Sequence, residues 1–417
     1  METPFYSAEP SILTAELPNE DRIIRTTRRE IQEDSKFAKM PSDVLLPIID
    51  GLDMAGKAYL LATCQYLRHL VEPLLYRSLS PDDTWRSCRR VRLLKTLGKR
   101  QDLLPLIHSF RGFLIPTSIS GPEQPTEEFP KYDMFPKEEF QDEWLAIAVP
   151  LFIQAINIRN LDIKGYSAWG QNGRWELYKS VVYGMKLNGL ALDCSSLGPL
   201  DFAPILRGQP GLTRLELDCP TAQFDGLEKE DVPRLTSFKG TLRQAEIIVP
   251  GRPVTKLGVT CVWLDECQCV SEHVYQTLAL SSDTIKEFTL VPHQGPNNDT
   301  FRPMLQLIRQ YLPKIVDLAI IPRYTVSGEV LLDEIPKFSS IIHLTLSEAW
   351  LELPDSITGG PNADPGAFDD GSDWWERFSE RLKELCPSLT DFEYTPLRLP
   401  MCGNAAFLER LKRRDYL

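Results

Sequence analysis

From residue 107 onward the apolar positions recur in one short pattern: apolar, two variable residues, apolar, variable, apolar. Copies are IRNLDI (158–163), LNGLAL (187–192), LTRLEL (212–217), VTKLGV (254–259), IKEFTL (285–290), IVDLAI (315–320), IIHLTL (341–346) and LTDFEY (389–394). LTSFKG (235–240) is a weaker copy and IHSFRG (107–112) opens the series. Alternation over so short a run predicts a strand with one face buried. The central apolar residues are Leu161, Leu190, Leu215, Phe238, Leu257, Phe288, Leu318, Leu344 and Phe392. Most lie about 20–30 residues apart, a spacing that signals a stacked-repeat architecture. Helical stretches precede several copies: 301–311 leads into Leu312-Pro313, and 374–385 into Cys386-Pro387-Ser388. A single unit cannot bury its apolar face, so the units must stack on one another. Their strands then form a parallel sheet on the concave side, with the variable residues facing outward. An α/β enzyme also alternates strands and helices, but its strands read as longer apolar runs because helices cover both faces. The kept alternation favours a solenoid.

Before the repeats the pattern is helical. Residues 1–39 are polar and mixed in charge, an arm more than a domain. Within 40–80, Val44, Leu45, Ile48, Ile49 and Leu52 recur at helical spacing after Ser42 or Asp43, either of which can cap the first turn. Pro47 lies only about a turn inside, where it costs little. Gly51 and Asp53 punctuate. A second short helix holds Ala58, Leu60 and Leu61. A third starts near Cys64, with Leu67, Leu70, Val71, Leu74 and Leu75 as its stripe, and Pro73 is expected to kink or end it. Residues 81–106 read as a basic helical linker carrying Arg86, Arg89, Arg90, Arg92, Lys95, Lys99 and Arg100. That is a solvated face joining two domains or, in a sharper reading, a patch for an acidic partner. The domain of 107–417 carries two loop insertions, one rich in Pro and acidic residues at 116–143 and one rich in Gly, Pro and Asp at 354–373.

The run MPSDVLLPIIDGLDMAGKAYLLATCQYLRHLVEPLLYRSL resembles the F-box, particularly its fungal versions, through Pro41, Asp43, Leu45, Leu46, Ile49, Leu52, Leu60, Leu61, Cys64, Leu67, Arg68 and Leu70. It departs at Met40, where the family usually has Leu, and at Gln65 and Tyr66, where a basic residue and often an aromatic follow the cysteine. The LP and CPSL punctuation before strands resembles the leucine-rich repeats of F-box proteins, without their usual Asn after the strand. The expected fold class is therefore α/β: an N-terminal three-helix F-box module followed by an irregular leucine-rich-repeat solenoid with a parallel sheet. The resemblance implies a substrate receptor of a Skp-cullin-F-box ubiquitin ligase. The F-box would bind the Skp adaptor, and through it the cullin-RING core, using residues drawn from Pro41, Leu45, Leu46, Ile49, Leu52, Leu60, Leu61 and Leu67. The repeats would hold a protein substrate. The alternative is an interaction scaffold with no ligase role.

Composition narrows the chemistry. A hydrophobic share of 42% with 25% charged residues allows a sizeable core. A net charge of -12 argues against a general nucleic-acid binder, which needs surplus Lys and Arg. No apolar run reaches the about 18 residues of a membrane span, and no secretory signal is apparent. Nine cysteines without a regular framework fit a reducing compartment, cytoplasm or nucleus. Cys261, Cys267, Cys269 and His273 match no common zinc spacing, so no metal or cofactor is expected. Gly51 to Lys57 nearly spells a P-loop, but Ala58 lacks the hydroxyl for magnesium and no strand precedes it. GYSAWG (165–170) is one residue too long for a nucleophile elbow. No catalytic residue is expected.

For the substrate, equal offsets matter. Trp263, Tyr324 and Trp350 each follow the last apolar strand residue of their unit by four positions, and Trp169 falls two further along in an earlier unit. Stacking should bring them to one rim, either as binding anchors or as caps on the core. Lys256, Lys286, Glu287, Asp317 and His343 are expected nearby on the outward face, so the substrate-binding set includes Lys286, Glu287 and His343 with the four aromatics.

Overall fold

The computed structural model describes residues 40–80, 87–112, 147–164, 174–193, 200–261, 271–292, 298–321, 325–352 and 372–396. The chain divides into two compact units, Met1–Ser78 and Leu79–Leu417.

In the first unit the predicted helices form: α1 (Ser42–Asp50), α2 (Met54–Thr63) and α3 (Gln65–Arg77). Of the two expected caps, Asp43 accepts from the amide of Val44 at 3.1 Å, but from inside the helix and not from the N-cap position. Pro41 takes the capping place, with its carbonyl accepting from the amides of Val44 and Leu45. Asp53 does cap α2, its carboxylate accepting from Gly56 N at 2.7 Å. The sulfur of Cys64 does the same for α3. The near-P-loop run is thus a turn between helices, with Lys57 Nζ donating to the carbonyl of Asp50. Helix α3 passes through Pro73 and continues to Arg77, so of the two expectations, a kink or an end, the end does not occur. Pro73 is exposed, and as a proline inside the helix it removes one ladder bond and crowds the carbonyl one turn before it. Leu45, Ile49, Leu67 and Val71 make the core of the unit, and Leu60, Leu61, Leu70, Leu74 and Leu75 pack half-buried around it. Two of the three residues that depart from the F-box pattern meet each other: the Tyr66 hydroxyl donates to the Met40 carbonyl at 2.9 Å, tying the segment before α1 to α3.

The second unit begins with α4 (Ser87–Lys99) and a short 3-10 turn (Gln101–Leu106). The linker expectation changes here. Leu94, Leu97, Leu103 and Leu104 are all buried, so this helix and turn are part of a packed core. Lys99 and Arg100 stay on the surface, and Arg100 is clamped to Asp102 at 2.7 Å.

Then come the strands: β1 (Ser109–Gly112), β2 (Asn160–Lys164), β3 (Gly189–Asp193), β4 (Arg214–Asp218), β5 (Ser237–Thr241), β6 (Lys256–Cys261), β7 (Glu287–Pro292), β8 (Asp317–Ile320), β9 (His343–Glu352) and β10 (Asp391–Pro396). All are parallel and lie side by side in chain order. Unbroken chain order is what a solenoid requires, since each unit touches only its neighbours. The registers align Phe110, Leu161, Leu190, Leu215, Phe238, Leu257, Phe288, Leu318, Leu344 and Phe392 in one row. Both the weak copy at 235–240 and the opening copy at 107–112 belong to it. Two residues on, Ile163, Leu192, Leu217, Val259, Leu290, Ile320 and Leu346 form a second buried row.

The segments between strands supply the other side of the core. Described helices include 147–154, α5 (Arg174–Tyr183), α6 (Ala203–Arg207), α7 (Leu242–Ile248), α8 (Glu272–Leu278), α9 (Asn298–Tyr311), α10 (Gly328–Glu334) and α11 (Ser372–Leu385). Phe152 meets Phe110 edge-on at 4.7 Å and Phe378 meets Phe392 at 5.9 Å, so helix and strand rings share the core at both ends of the sheet.

Polar groups join successive units where an asparagine ladder is missing. The hydroxyls of Thr213, Thr236 and Thr255 each donate to the carbonyl of the matching residue one unit back, namely Asn188, Thr213 and Thr236. Buried Gln209 accepts from Leu187 N and donates to the carbonyls of Val182 and Met185. Ser281 bridges back to Val249 and Gly251 in the same manner. The bonds of Gln209 and Ser281 satisfy buried backbone groups, which would otherwise be penalised, while the threonine bonds add to carbonyls that already accept backbone amides.

Candidate functional site

Strand alternation turns every second residue away from the core, and the registers gather those residues into three outer rows. The entry row includes Ser237, Lys256, Glu287, Asp317, His343 and Asp391. The middle row runs Glu216, Lys239, Gly258, Thr289, Ala319, Thr345 and Glu393. The exit row includes Thr241, Thr260 and Val291, and Ile321 continues it through a backbone bond from its amide to Leu290 O.

A groove of about 580 Å³ opens on this face between β4 and β8. Its floor is low because the middle row shrinks after Lys239 to Gly258, Thr289 and Ala319. At Gly258 an added Cβ would lie 3.1 Å from the Lys239 side chain, which bends away over the neighbouring strand. Lys239 pairs there with Glu216. On the entry side Lys256 pairs with Glu287 at 2.7 Å. On the exit side Val291 and Ile321 line the groove with apolar surface.

The charges are unevenly matched. Lys239 and Lys256 are each spent on a neighbouring carboxylate, as is Arg111 on Asp162 at 2.9 Å. Further along, His343 serves two carboxylates, with Nδ1 2.9 Å from Asp391 and Nε2 3.7 Å from Asp317. Among the described outward residues of β7 to β10 there is no lysine or arginine, while Glu287, Asp317, Asp391 and Glu393 are all acidic.

The expected site residues fall in different places. Glu287 and His343 stand in the entry row, with Lys256 and Asp317. Lys286 does not: it shares the parity of Phe288 and Leu290, and is exposed at the mouth of β7. Trp169, Trp263 and Tyr324 lie outside the described residues. Trp350 is placed by its backbone alone, opposite Thr325 of a short strand (Thr325–Ser327) beside the far half of β9. The aromatic rim is therefore not part of the site described. Sequence reasoning missed the groove floor, although the small residues Gly258, Thr289, Ala319 and Thr345 all stand at the same variable position of their copies.

In the first unit the division between core and surface is plain. Leu45, Ile49 and Leu67 are buried in the unit's own core and have no surface to offer a partner. Pro41 and Leu46 are exposed; Leu52, Leu60 and Leu61 are half-buried. Large apolar side chains outside the expected set are more open: Val44 at 47%, Ile48 at 56%, Met54 at 50% and Tyr59 at 77% exposure. Their signal was in the sequence, since Val44 and Ile48 lie one turn apart on the face of α1 next to the core pair.

Among the described residues, no group of three or more His, Cys, Asp or Glu side chains is placed to hold a metal ion. Cys267 and Cys269 lie outside them, and His273 faces Glu246 at 3.2 Å. No described helix is long and apolar enough to cross a membrane.

No family model matches the chain, and no curated protein matches it. Among solved structures, the leucine-rich repeat-containing protein LegL7 from Legionella pneumophila is similar at 14% identity, over 58% of this chain and 79% of that one, with a TM-score of 0.32. A superposition that loose carries no argument. The leucine-rich-repeat-like character of the second unit rests on its own strand order, row registers and repeat spacing.

Proposed function

We propose that the chain is a non-catalytic substrate receptor of a Skp-cullin-F-box ubiquitin ligase. Its first unit binds the Skp adaptor, and the sheet face of its second unit holds a protein substrate for modification. The observation that carries this reading is the exposed apolar set Val44, Leu46, Ile48, Met54 and Tyr59 on a helical module of about forty residues. A module of that size is a marginal fold by itself, and burying these side chains in a partner supplies what its small core lacks. The F-box resemblance of the same run gives the partner its identity. The solenoid supports the second half, since an extended sheet face with a groove suits a macromolecule better than a small reactive substrate. In this reading the receptor contributes proximity to the charged ubiquitin carrier and no bond chemistry.

The test is co-expression of the full-length chain with a Skp adaptor. Wild type is expected to co-purify as a stoichiometric complex by size-exclusion chromatography. Ile48→Asp and Met54→Asp place a charge on the docking face and should each weaken the complex at least about tenfold, near 1.4 kcal/mol. Both positions are half exposed, so circular dichroism should be unchanged. Absence of a wild-type complex at micromolar concentration would leave a plain interaction scaffold as the surviving account.

A further inference from the structure

We infer that the outer sheet face from β6 to β10, which the groove enters from the β4 side, takes an extended segment of a partner protein in which lysine or arginine alternates with small apolar residues. This rests on the receptor reading and names the class of segment its substrate presents.

Neighbouring strands lie about 4.8 Å apart, so a segment crossing from β6 to β10 spans roughly 19 Å, or about six extended residues. The floor beneath that path is small: Gly258, Thr289, Ala319 and Thr345 leave room for a backbone to lie close. An extended chain lying flat projects alternate side chains to opposite edges. One edge meets the entry row, the other the exit row, and the two rows differ in chemistry. The entry row beyond Lys256 carries Asp317 and Asp391, which share a single histidine. The exit row offers Val291 and Ile321.

Charge decides the sign of the occupant. Lys256, the one lysine among the described outward residues of β6 to β10, is already neutralised by Glu287. An acidic or phosphorylated segment would have to break that pair and face the further carboxylates. A basic segment would find carboxylates with too few cations. Surface pairs of this kind contribute little singly, so several must act together, and salt must weaken them. Charge thus supplies selection, and the small floor with its apolar edge supplies fit.

The probe is an eight-residue fluorescein-labelled peptide alternating lysine and valine, titrated with the full-length chain and followed by fluorescence polarisation. The controls are a glutamate–valine alternation and a peptide of the first composition with its lysines in one block. Saturable binding of the alternating lysine peptide, weaker in the block control and weakened by salt, is expected. Thr289→Trp fills the floor and the pair Asp317→Lys with Asp391→Lys reverses the entry row; each should weaken binding about tenfold or more. Should Thr289→Trp fail to fold, Gly258→Gln tests the same floor, its new Cβ meeting Lys239 Cγ at 3.1 Å and Cβ at 3.3 Å. Equal or tighter binding of the glutamate peptide, indifference to these variants, or no saturable binding up to about 1 mM would each overturn the inference. Adaptor capture measured on the same preparations separates the two readings. Retained capture without peptide binding sinks the groove inference alone, and peptide binding with lost capture supports it while striking the ligase role.

Discussion

Gly240→Leu, a change that restores the repeat pattern, is expected to destabilise the protein by about 2–4 kcal/mol. The weak copy LTSFKG places glycine where other copies have Ile163, Leu192, Leu217, Val259, Leu290, Ile320 or Leu346. Pattern logic alone reads that glycine as a defect. The structure gives it a cause. A Cβ at Gly240 would lie 2.5 Å from Gln244 Oε1 and 2.7 Å from the Phe238 ring. Gln244 is buried and fully engaged: its Oε1 accepts from Thr241 N at 2.9 Å, and its Nε2 donates to the carbonyl of Cys219 at 2.5 Å. Together with the bond from Gln244 N to Thr241 Oγ1 this closes a capping box at the start of α7. The amide has replaced an aliphatic side chain in the core and bonds across to the preceding unit. A leucine at 240 must displace it, leaving buried polar groups unpaired as well as overfilling the space. Urea denaturation of the full-length variant measures the loss. Gly240→Leu combined with Gln244→Ala should recover part of it, because the cavity left by the glutamine accepts the new side chain. A single variant as stable as wild type would show that the amide is not fixed.

The same unit shows where pattern reading succeeds and where it stops. Strand positions were legible because burial on one face imposes strict alternation, and a one-residue slip would expose the whole apolar set. Even the degenerate copies at 107–112 and 235–240 kept their central Phe110 and Phe238, which suffices to fix register. What escaped was whatever depends on a partner from another unit. Nothing local says that Gln244 fills the place vacated at 240, that Gln209 satisfies the turn one unit back, or that Leu94 and Leu97 are buried. In the first unit, helical spacing identified the apolar positions of α1 but not their division. Leu45 and Ile49 face inward while Val44 and Ile48 face out, and only the packing of α3 decides which pair becomes core. The groove was half legible. Lys256 and Glu287 on its entry side were expected and Glu216 and Lys239 were not, while its floor is set by small residues, and smallness at a variable position carries no signal until the register aligns them.

Glu334→Gln is expected to cost about 2–3 kcal/mol at neutral pH, and the cost should vanish in acid. Glu334 closes α10 and is 1% exposed, yet it sits within reach of three cations. Arg302 lies 3.2 Å away, Arg309 3.3 Å and Lys337 3.1 Å, and Gln306 Nε2 donates to Oε1 at 3.0 Å. Through α9 and the turn after α10, this carboxylate fastens two successive units on the helix side of the solenoid. Burial is the strongest single influence on its acidity and acts to raise the pKa. The hydrogen bonds from Gln306 and Lys337 and the nearby positive charges outweigh it together, so the folded pKa lies below the ordinary 4.5. A depressed folded pKa means that the charged form stabilises the fold above the unfolded value, and that this contribution is lost as pH falls through the folded value. Removing one member of a buried cluster typically costs about 3–5 kcal/mol, because the remaining charges are stranded. Here the arginines and Lys337 keep about a third to a half of their side chains in water, so they rehydrate and the cost falls below that range. Urea unfolding of wild type and Glu334→Gln at pH 7 should therefore differ by the full amount. The gap should narrow steadily below about pH 4.5 and close once the carboxyl is protonated in both states. A gap that persists unchanged at the lowest pH where the protein still folds would assign the effect to packing and remove the ionic cluster from the account of how these units are joined.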